Sequence, residues 1–212
     1  MSDATDPARA RILSAASELL SKLGPLNVGM RTIAKQAGVS VGLIHYHFDS
    51  KQGVLESSLE QLATPLFALE DTYLTRVKNG DALEPTLREA YLASFAVARR
   101  YRPLMRVILT LVGHTGALPR VWRTNALSAF LGRWADALHE RTGVEPWVLR
   151  FRLHNVLALT TRYVAASEAE LQTVLDDPNV PLEEARDRIA GEIAELAATW
   201  LTHRPPRAHE PG

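Results

Sequence analysis

Chemistry-bearing side chains cluster between residues 31 and 51, in the stretch RTIAKQAGVSVGLIHYHFDSK. Arg31 and Lys51 supply cationic donors, while His45, Tyr46 and His47 supply two imidazoles and a phenol. Groups of these types can donate hydrogen bonds to phosphate oxygens and to the edges of bases. Their spacing matches no arrangement of a nucleophile with a general base, so the chemistry they indicate is recognition of a nucleic acid.

Two short helices must position these side chains. Ile33, Ala34 and Ala37 fall on one helical stripe, which predicts the buried face of a first helix. Gly38 supplies a positive-φ position that ends this helix, and Ser40 is a favourable N-cap for a second one. Two helices joined by a three-residue turn with a glycine form a helix-turn-helix. The alternative interpretation is a plain αα-hairpin with surface aromatics, because the same geometry occurs in proteins that never touch DNA.

A longer pattern surrounds the hairpin, from residue 11 to residue 55. An amphipathic first helix ends in Gly24, and the positions that follow it are Met30-Arg31, Ile33-Ala34, Ala37-Gly38-Val39-Ser40, Gly42, His47-Phe48, Ser50-Lys51 and Leu55. In these features the chain resembles the N-terminal domain of the TetR family of bacterial transcriptional regulators. The resemblance covers about the first quarter of the chain. It implies a three-helix DNA-binding head on an all-helical body that forms a homodimer and binds a small effector.

The resemblance also implies which side chains contact operator DNA. Arg31 would reach the major groove from the second helix. Val41 and Leu43, at the base-facing start of the recognition helix, are apolar where relatives often have Lys and Thr, which favours contacts with thymine methyl groups. Gly42 lies between them at the same base-facing start, and His45, Tyr46, His47 and Lys51 would hold the DNA backbone. The complete predicted set is Arg31, Thr32, Ser40, Val41, Gly42, Leu43, His45, Tyr46, His47 and Lys51.

Composition limits the other functions that are possible. The chain has 212 residues, of which 46% are hydrophobic and 23% are charged, with no cysteine for a disulfide, a thiolate metal site or a thiol nucleophile. No apolar run approaches the length of a membrane span, so we expect a cytoplasmic protein without a membrane partner. Net charge is +2 over residues 1–55, +2 over residues 56–144 and −4 over residues 145–212. This distribution fits DNA contact at one end only.

Known catalytic motifs are missing from the sequence: we find no GxSxG, HExxH, P-loop or GxGxxG. We therefore predict no catalytic residues, no metal site and no cofactor. Two rival functions stay open from sequence, an enzyme with a borrowed helix-turn-helix head and a helix-turn-helix protein that acts through protein–protein interaction. Salt-sensitive binding to DNA would separate the regulator from both.

The rest of the chain has helical periodicity and no alternating strand pattern, so the predicted fold is all-α. We expect a DNA-binding domain at residues 1–52, an effector-binding and dimerisation domain at residues 53–203 and a flexible tail at residues 204–212. A long helix from Lys51 to about residue 77, kinked at Pro65, joins the two domains. Later helices are predicted at residues 83–101, 104–112, 119–142, 146–175 and 182–201, with a loop at residues 113–116.

Two groups of body residues have competing interpretations. Large side chains in the central helices predict either ordinary core packing or a pocket for a small, largely apolar effector; they are Phe67, Phe95, Met105, Ile108, Trp122 and Trp134. Apolar stripes on the last two helices predict either an internal bundle or a homodimer interface; the interface set is Val156, Tyr163, Ile189, Ile193, Leu196, Ala197 and Trp200. The family resemblance favours an effector-released repressor that is a homodimer. The effector, the operator and the sign of regulation do not follow from the sequence.

Overall fold

The computed structural model describes residues 6–24, 27–118 and 122–204. Every regular element in those ranges is helical. The helices are α1 (Pro7–Leu23), α2 (Met30–Ala37), α3 (Val41–Phe48), α4 (Lys51–Lys78), α5 (Leu83–Arg100), α6 (Arg102–Thr115), a π-helical segment (Trp122–Leu127), α7 (Ser128–Thr142), α8 (Pro146–Ala165), α9 (Glu168–Leu175) and α10 (Leu182–Thr202). The all-α prediction is confirmed. In the described ranges, no helix combines the length and the apolarity that crossing a membrane requires.

Helices α1, α2 and α3 form the N-terminal head. Pro7 begins α1, and the Asp6 carboxylate caps it by accepting a hydrogen bond of 2.7 Å from the backbone N–H of Ala8. The inward faces of the three helices meet in one apolar core, to which Ile12, Ile33 and Ile44 each contribute a fully buried side chain. This core continues without a break into the body through α4 and α6.

Helix α4 has 28 residues and links the head to the body. Its N-cap is Ser50, whose hydroxyl accepts from the N–H of Gly53 at 3.1 Å. Pro65 lies inside the helix, as expected, and α4 continues to Lys78. The same helix therefore begins in the head and ends among α5 and α7 of the body.

Three predicted boundaries differ in the structure. The helix expected at residues 146–175 is interrupted at Ala166-Ser167, and α9 begins with Ser167 as its N-cap. Helix α6 extends to Thr115, so residues 113–115 are helical and only Gly116 takes the left-handed conformation, with φ 72°. The helix expected at residues 119–142 has a π-helical start at Trp122, and residues 119–121 lie outside the described part of the chain.

A second apolar cluster fills the far end of the body, around Trp134, Leu138 and Leu149. It joins α4, α5, α7, α8 and the end of α10. Helix α10 packs along both α5 and α8, so its apolar stripe faces inward over most of its length.

Candidate nucleic-acid interface and ligand cavity

The turn between α2 and α3 fixes the angle of the hairpin. Gly38 adopts φ 65° and ψ 41°, a left-handed conformation that most residues avoid. The N–H of Val39 donates to the carbonyl of Ala34 at 3.1 Å and the N–H of Gly38 donates to that of Lys35, the pattern of a Schellman C-cap. Ser40 then caps α3, its hydroxyl accepting from the N–H of Leu43 at 3.1 Å. Ser40 therefore has a structural role whether or not it also reaches DNA.

The outward surface of the hairpin holds most of the predicted DNA contacts. Gly42, His45 and Tyr46 are exposed on α3, and 79% of Tyr46 is accessible. Arg31 and Thr32 are exposed at the start of α2. The remaining members, Val41, Leu43 and Lys51, are half-buried. We call these eight residues, Arg31, Thr32, Val41, Gly42, Leu43, His45, Tyr46 and Lys51, the head surface.

His45 is held in one tautomer by its own helix end. Its Nδ1 lies 2.7 Å from the carbonyl oxygen of Asp49. A carbonyl only accepts, so Nδ1 carries the hydrogen. The other ring nitrogen of the neutral side chain is then an acceptor, able to receive a hydrogen bond from an amino group of a base.

His47 is directed inward, which differs from its predicted contact with the DNA backbone. Only 1% of its side chain is accessible, and its Nε2 lies 3.4 Å from the Asp6 carboxylate. The imidazole thus joins the end of α3 to the beginning of α1. Its position in the pattern next to Phe48 reflects packing of the head, and a phosphate could reach it only after the side chain moved outward.

The junction of α3 and α4 depends on a residue that the sequence reading did not single out. A Cβ atom added to Gly53 would lie 2.0 Å from the carbonyl oxygen of Phe48, closer than any side chain can be placed. Between them, Asp49 has φ 60°, and the N–H of Ser50 donates to the Phe48 carbonyl at 2.6 Å, closing a tight turn. A glycine in the first turn of a helix was the available signal. This junction places Lys51 beside the recognition helix.

Arg9 of α1 packs against α3 of the head and the start of α4. Its guanidinium lies over the Phe48 ring, 5.2 Å from the centroid, and its Nη2 lies 3.5 Å from the Ser57 hydroxyl. It therefore connects α1 with α3 and α4. Arg11, two residues on, is exposed.

A cavity of about 290 Å³ lies in the body between α4, α5, α6, α7, α8 and α10. Four of the predicted pocket residues line it: Phe67, Met105, Ile108 and Trp134. Phe95 packs in the core beside Tyr91, with ring centroids 6.0 Å apart. The side chain of Trp122 lies outside the described part of the structure. The volume is that of a small organic ligand, near the lower end of known ligand pockets.

Polar groups in the cavity wall are few, and Glu70 is the most buried of those that ionise readily. None of its side chain is accessible, and its carboxylate forms a two-point ion pair with Arg133 of α7, with Nε–Oε1 at 3.1 Å. Burial raises the pKa of Glu70 above its usual range, while the hydrogen bonds and charge of Arg133 act in the opposite direction. Sequence reasoning missed Glu70, although it falls at helical spacing between Leu66 and Leu74.

Tyr91 adds a hydroxyl to the cavity wall. It lies 3.5 Å from the Thr160 hydroxyl, which donates to the Val156 carbonyl at 2.8 Å, so Tyr91 can donate to Thr160. Burial raises the pKa of Tyr91 to about 12. The phenol is therefore a neutral hydrogen-bonding group at any physiological pH.

The predicted homodimer residues divide between the inside and the outside of the protomer. Ile189 and Ile193 are 6% and 7% accessible because α5 and α8 already cover them. Val156 and Ala197 line the cavity, and Tyr163 packs against the core. Ile189, Ile193 and Ala197 are thus buried within the protomer, which corrects the expectation that the whole stripe faces a partner, whereas Val156 and Tyr163 are half-buried. Leu196 remains 53% accessible and Trp200 half-buried.

Neighbouring aromatics extend this outer part of the stripe. Trp147 and Phe151 on α8 are 69% and 58% accessible, and Phe151 contacts Trp200 edge to face with centroids 6.3 Å apart. We call Trp147, Phe151, Leu196 and Trp200 the outer apolar surface. Exposed aromatic side chains in such a group are typical of interaction sites.

Comparison with known proteins gives the head a family. Residues 12–57 match the family model described as bacterial regulatory proteins, tetR family. The HTH-type transcriptional regulatory protein RaaS of Mycobacterium tuberculosis is 32% identical over 114 residues, which is 54% of this chain and 49% of RaaS. The HTH-type transcriptional regulator BetI of Burkholderia mallei is 26% identical over 193 residues, 91% of this chain and 80% of BetI. The match thus spans about half the length of the first relative and most of the second.

Solved structures share the whole architecture. The fatty acid degradation regulator FadR from Bacillus halodurans superposes with a TM-score of 0.60 at 17% identity, covering 90% of this chain and 96% of FadR. A transcriptional regulator from Aquifex aeolicus VF5 gives 0.58 at 16% identity, covering 89% and 99%. These likenesses establish the fold, a helix-turn-helix head on a helical body. Residues 12–57 therefore resemble the DNA-binding domain of the TetR family of bacterial transcriptional regulators, and the relative that aligns along most of the chain is likewise a helix-turn-helix transcriptional regulator.

Proposed function

We propose that this regulator is a homodimeric repressor that binds operator DNA through the head surface and is released by a small, largely apolar effector bound in the cavity. One observation carries the proposal: α4 is a single helix that begins at Lys51 in the head and lines the cavity from Leu66 to Tyr73. At 1.5 Å per residue, Glu70 lies roughly 28 Å along the helix from Lys51. A ligand that moves the middle of α4 therefore moves the head.

In the complex with DNA, some residues of the head surface would contact bases and others would contact phosphates. The start of α3 presents Val41 and Leu43, whose apolar side chains suit thymine methyl groups. Arg31 can form a bidentate contact with a guanine edge. Lys51 lies in the first turn of α4, where a cation opposes the helix dipole, and a phosphate bound at that helix end would offset the repulsion.

The outer apolar surface is our candidate for the contact with a second copy of the chain. It lies on α8 and α10 of the body, so two copies joined there leave both heads free. A symmetric dimer places its recognition helices on two half-sites about 34–36 Å apart in B-DNA. Leu196 and Trp200 are the two residues of the original interface set that this contact retains.

The coupling between cavity and head has two routes. The first is α4 itself. The second is the contact of α1 with α6, since Met105 and Ile108 of α6 line the cavity while α6 packs against α1 of the head. An effector that separates α4 from α6 changes the tilt of both heads, and thus the distance between the recognition helices. The effector can shift the equilibrium between the two head orientations only by the difference between its affinities for them.

A direct test uses the full-length protein and DNA from the promoter region next to its own gene, followed by fluorescence anisotropy. We expect tight binding that weakens steeply with salt, because phosphate contacts release counterions. Small apolar compounds are then screened for release of the DNA. Binding no tighter than to a scrambled duplex of the same length would refute the regulator. Tight operator binding that no cavity ligand alters would refute the effector part alone.

A further inference from the structure

The described part of the cavity wall is nearly all apolar, but it contains one carboxylate and no strongly basic side chain to match it. Among the described residues that line it, Glu70 is the acidic one, and none is a lysine or an arginine. The other titratable side chains of the wall are Tyr73, Tyr91 and His154, and His154 is exposed on α8. Arg133, the partner of Glu70, stands behind the wall with 46% of its side chain accessible.

Arg133 is shared between two carboxylates. Besides Glu70 it faces Asp71, with Nη1 3.7 Å from Oδ1. Two acids and one base leave this trio with a net charge of −1. Asp71 is 74% accessible and is screened by water, whereas Glu70 is fully buried at the wall. The excess negative charge is therefore centred on Asp71, in water, while the Glu70 carboxylate, paired with Arg133, faces a cavity in which few polar groups screen it.

The Glu70 carboxylate also keeps acceptor capacity. Each of its oxygens receives one hydrogen bond from Arg133, at Oε1 from Nε and at Oε2 from Nη2. A carboxylate offers about four lone-pair positions, so roughly two remain. A donor that enters the cavity can bind to Glu70 without displacing Arg133, and the burial of the carboxylate is already part of the cost of folding.

Aromatic rings surround the same space. Five of the lining side chains are aromatic: Phe67, Tyr73, Tyr91, Phe130 and Trp134. Phe130 and Trp134 form a tilted pair with centroids 6.3 Å apart, and Phe67 already has the Arg133 guanidinium 5.8 Å from its centroid. Ring faces attract cations, and the attraction is greater where water is excluded.

From the buried carboxylate, its spare acceptor positions and the aromatic wall, we infer that the cavity selects an apolar molecule that carries one cationic group, with Glu70 as the specificity-determining residue. The regulatory consequence rests on the proposed function, but the binding itself does not. Because Glu70 lies on α4 and Arg133 on α7, a cation that shares Glu70 weakens the tie between these helices. The effector would then act on the helix that leads to the head.

The test uses three probes with the same eight-carbon chain: octylammonium, octanol and octanoate. Calorimetric titration of the full-length protein is expected to show the cation binding about tenfold or more tightly than either competitor. Glu70→Gln preserves the size and removes the charge, so we expect it to lose this preference and still bind octanol. The matched control is Asp71→Asn, which removes the same charge outside the cavity and should retain the preference.

Each result bears on one claim. Octanoate or octanol binding as tightly as the cation would overturn the inference, and so would no binding of the cation at millimolar concentration. An unchanged preference in Glu70→Gln would overturn the role of Glu70. If Glu70→Gln does not fold, the ranking of the three probes on the wild-type protein decides the matter. Cation binding that depends on Glu70 but leaves operator affinity unchanged would support the site and refute the effector mechanism.

Discussion

Gly53 shows how one residue without a side chain can position a DNA-binding helix. Its Cα faces the Phe48 carbonyl so closely that an added Cβ would lie 2.0 Å from the oxygen. The obstacle is backbone, held in a tight turn by Asp49 at φ 60°, so it cannot rotate away as a side chain would. The end of α3 and the start of α4 are thereby fixed against each other.

We expect Gly53→Ala to destabilise the head by about 2 kcal/mol or more, because α3 and α4 must separate to admit the methyl group. Chemical denaturation of the full-length protein measures this free energy. Gly113→Ala is the matched control, since Gly113 is also helical but nothing lies within 4 Å of its added Cβ. That variant should be stabilised by roughly 0.5–1 kcal/mol. Equal effects at the two glycines would contradict the close contact.

Alanine substitutions of Arg31 and Lys51 are expected to weaken DNA binding in different ways. Arg31→Ala should weaken operator binding by roughly 1–3 kcal/mol and relax the preference at one base position, because a base contact is lost. Lys51→Ala should weaken binding to all sequences alike and flatten the salt dependence. Lys78→Ala, at the other end of the same helix, serves as control and should change neither quantity. Anisotropy titrations at several salt concentrations separate the outcomes, and normal binding by both variants would refute their assignment.

At the scale of elements, arginines satisfy the open carbonyls at helix ends. Arg141 of α7 donates to the carbonyls of Val77 at 2.5 Å and Asp81 at 3.0 Å, where α4 ends. Arg152 of α8 donates to the carbonyls of Trp200 and His203 at the end of α10, and burial lowers its pKa. The last carbonyls of a helix have no partner inside the helix and carry partial negative charge. A planar guanidinium can bridge two of them from a neighbouring helix.

Arg141→Met should therefore destabilise the protein by about 1.5–3 kcal/mol, since it leaves the end of α4 without its charged donors. Arg141→Lys should recover little of this, because an ammonium cannot reproduce the fork geometry. Thermal and chemical unfolding measure both variants. Arg100→Met, which changes an exposed arginine at the end of α5, is the control and should cost less than about 0.5 kcal/mol. Full rescue by lysine would show that charge alone matters.

Arginine capping of the same kind occurs at the boundary between α8 and α9, which was not predicted from the sequence. Residues 164–166 are Val-Ala-Ala, with no glycine or proline to stop α8. At the end of α8, Arg102 and Arg106 of α6 donate to the carbonyls of Ala166 and Ala165, at 2.9 and 3.3 Å, so the open carbonyls are satisfied by a tertiary contact. The signal that was available is Ser167 followed by Glu170, a capping-box spacing that starts α9. The head was predictable in more detail because its turn and caps are local.

Periodicity gave the faces of the body helices but not their partners. Ile189 and Ile193 have the spacing of a buried stripe, and they are buried inside the protomer, where α10 packs against α5 and α8. A second copy would present the same apolar chemistry, so the sequence alone cannot distinguish the two. Glu70 was overlooked for the opposite reason. It is an acid at an apolar spacing, and its ion pair with Arg133 connects residues 63 positions apart.

For the whole molecule, the outer apolar surface predicts where assembly can be broken. Phe151→Glu places a charge on a side chain that is 58% accessible, so the protomer should fold while the dimer dissociates and operator affinity falls. Val174→Glu, on α9 and 53% accessible, is the matched control and should remain dimeric. Ile193→Glu would bury the charge inside the protomer and should unfold it. Sedimentation velocity reports all three, and a dimeric Phe151→Glu protein would place the interface elsewhere.

The last prediction concerns the coupling between the cavity and the head. If an effector weakens operator binding tenfold, it must itself bind the DNA-bound protein tenfold more weakly, a coupling free energy of about 1.4 kcal/mol. Trp134 lines the cavity, so its fluorescence can report ligand binding to the free protein and to the operator complex. The ratio of operator affinities without and with the effector should equal the ratio of effector affinities without and with the operator, when the two are measured independently.

Reciprocity also supplies the control and the contradiction. A scrambled duplex of the same length, at a concentration that leaves it unbound, should not alter the affinity for the ligand. A ligand that fills the cavity and binds equally to the free protein and the operator complex has no preference between the two states, and it cannot shift them however tightly it binds. If every cavity ligand behaves in this way, α4 supports the head rigidly and does not transmit ligand binding to it. The cavity would then serve some purpose other than release from DNA.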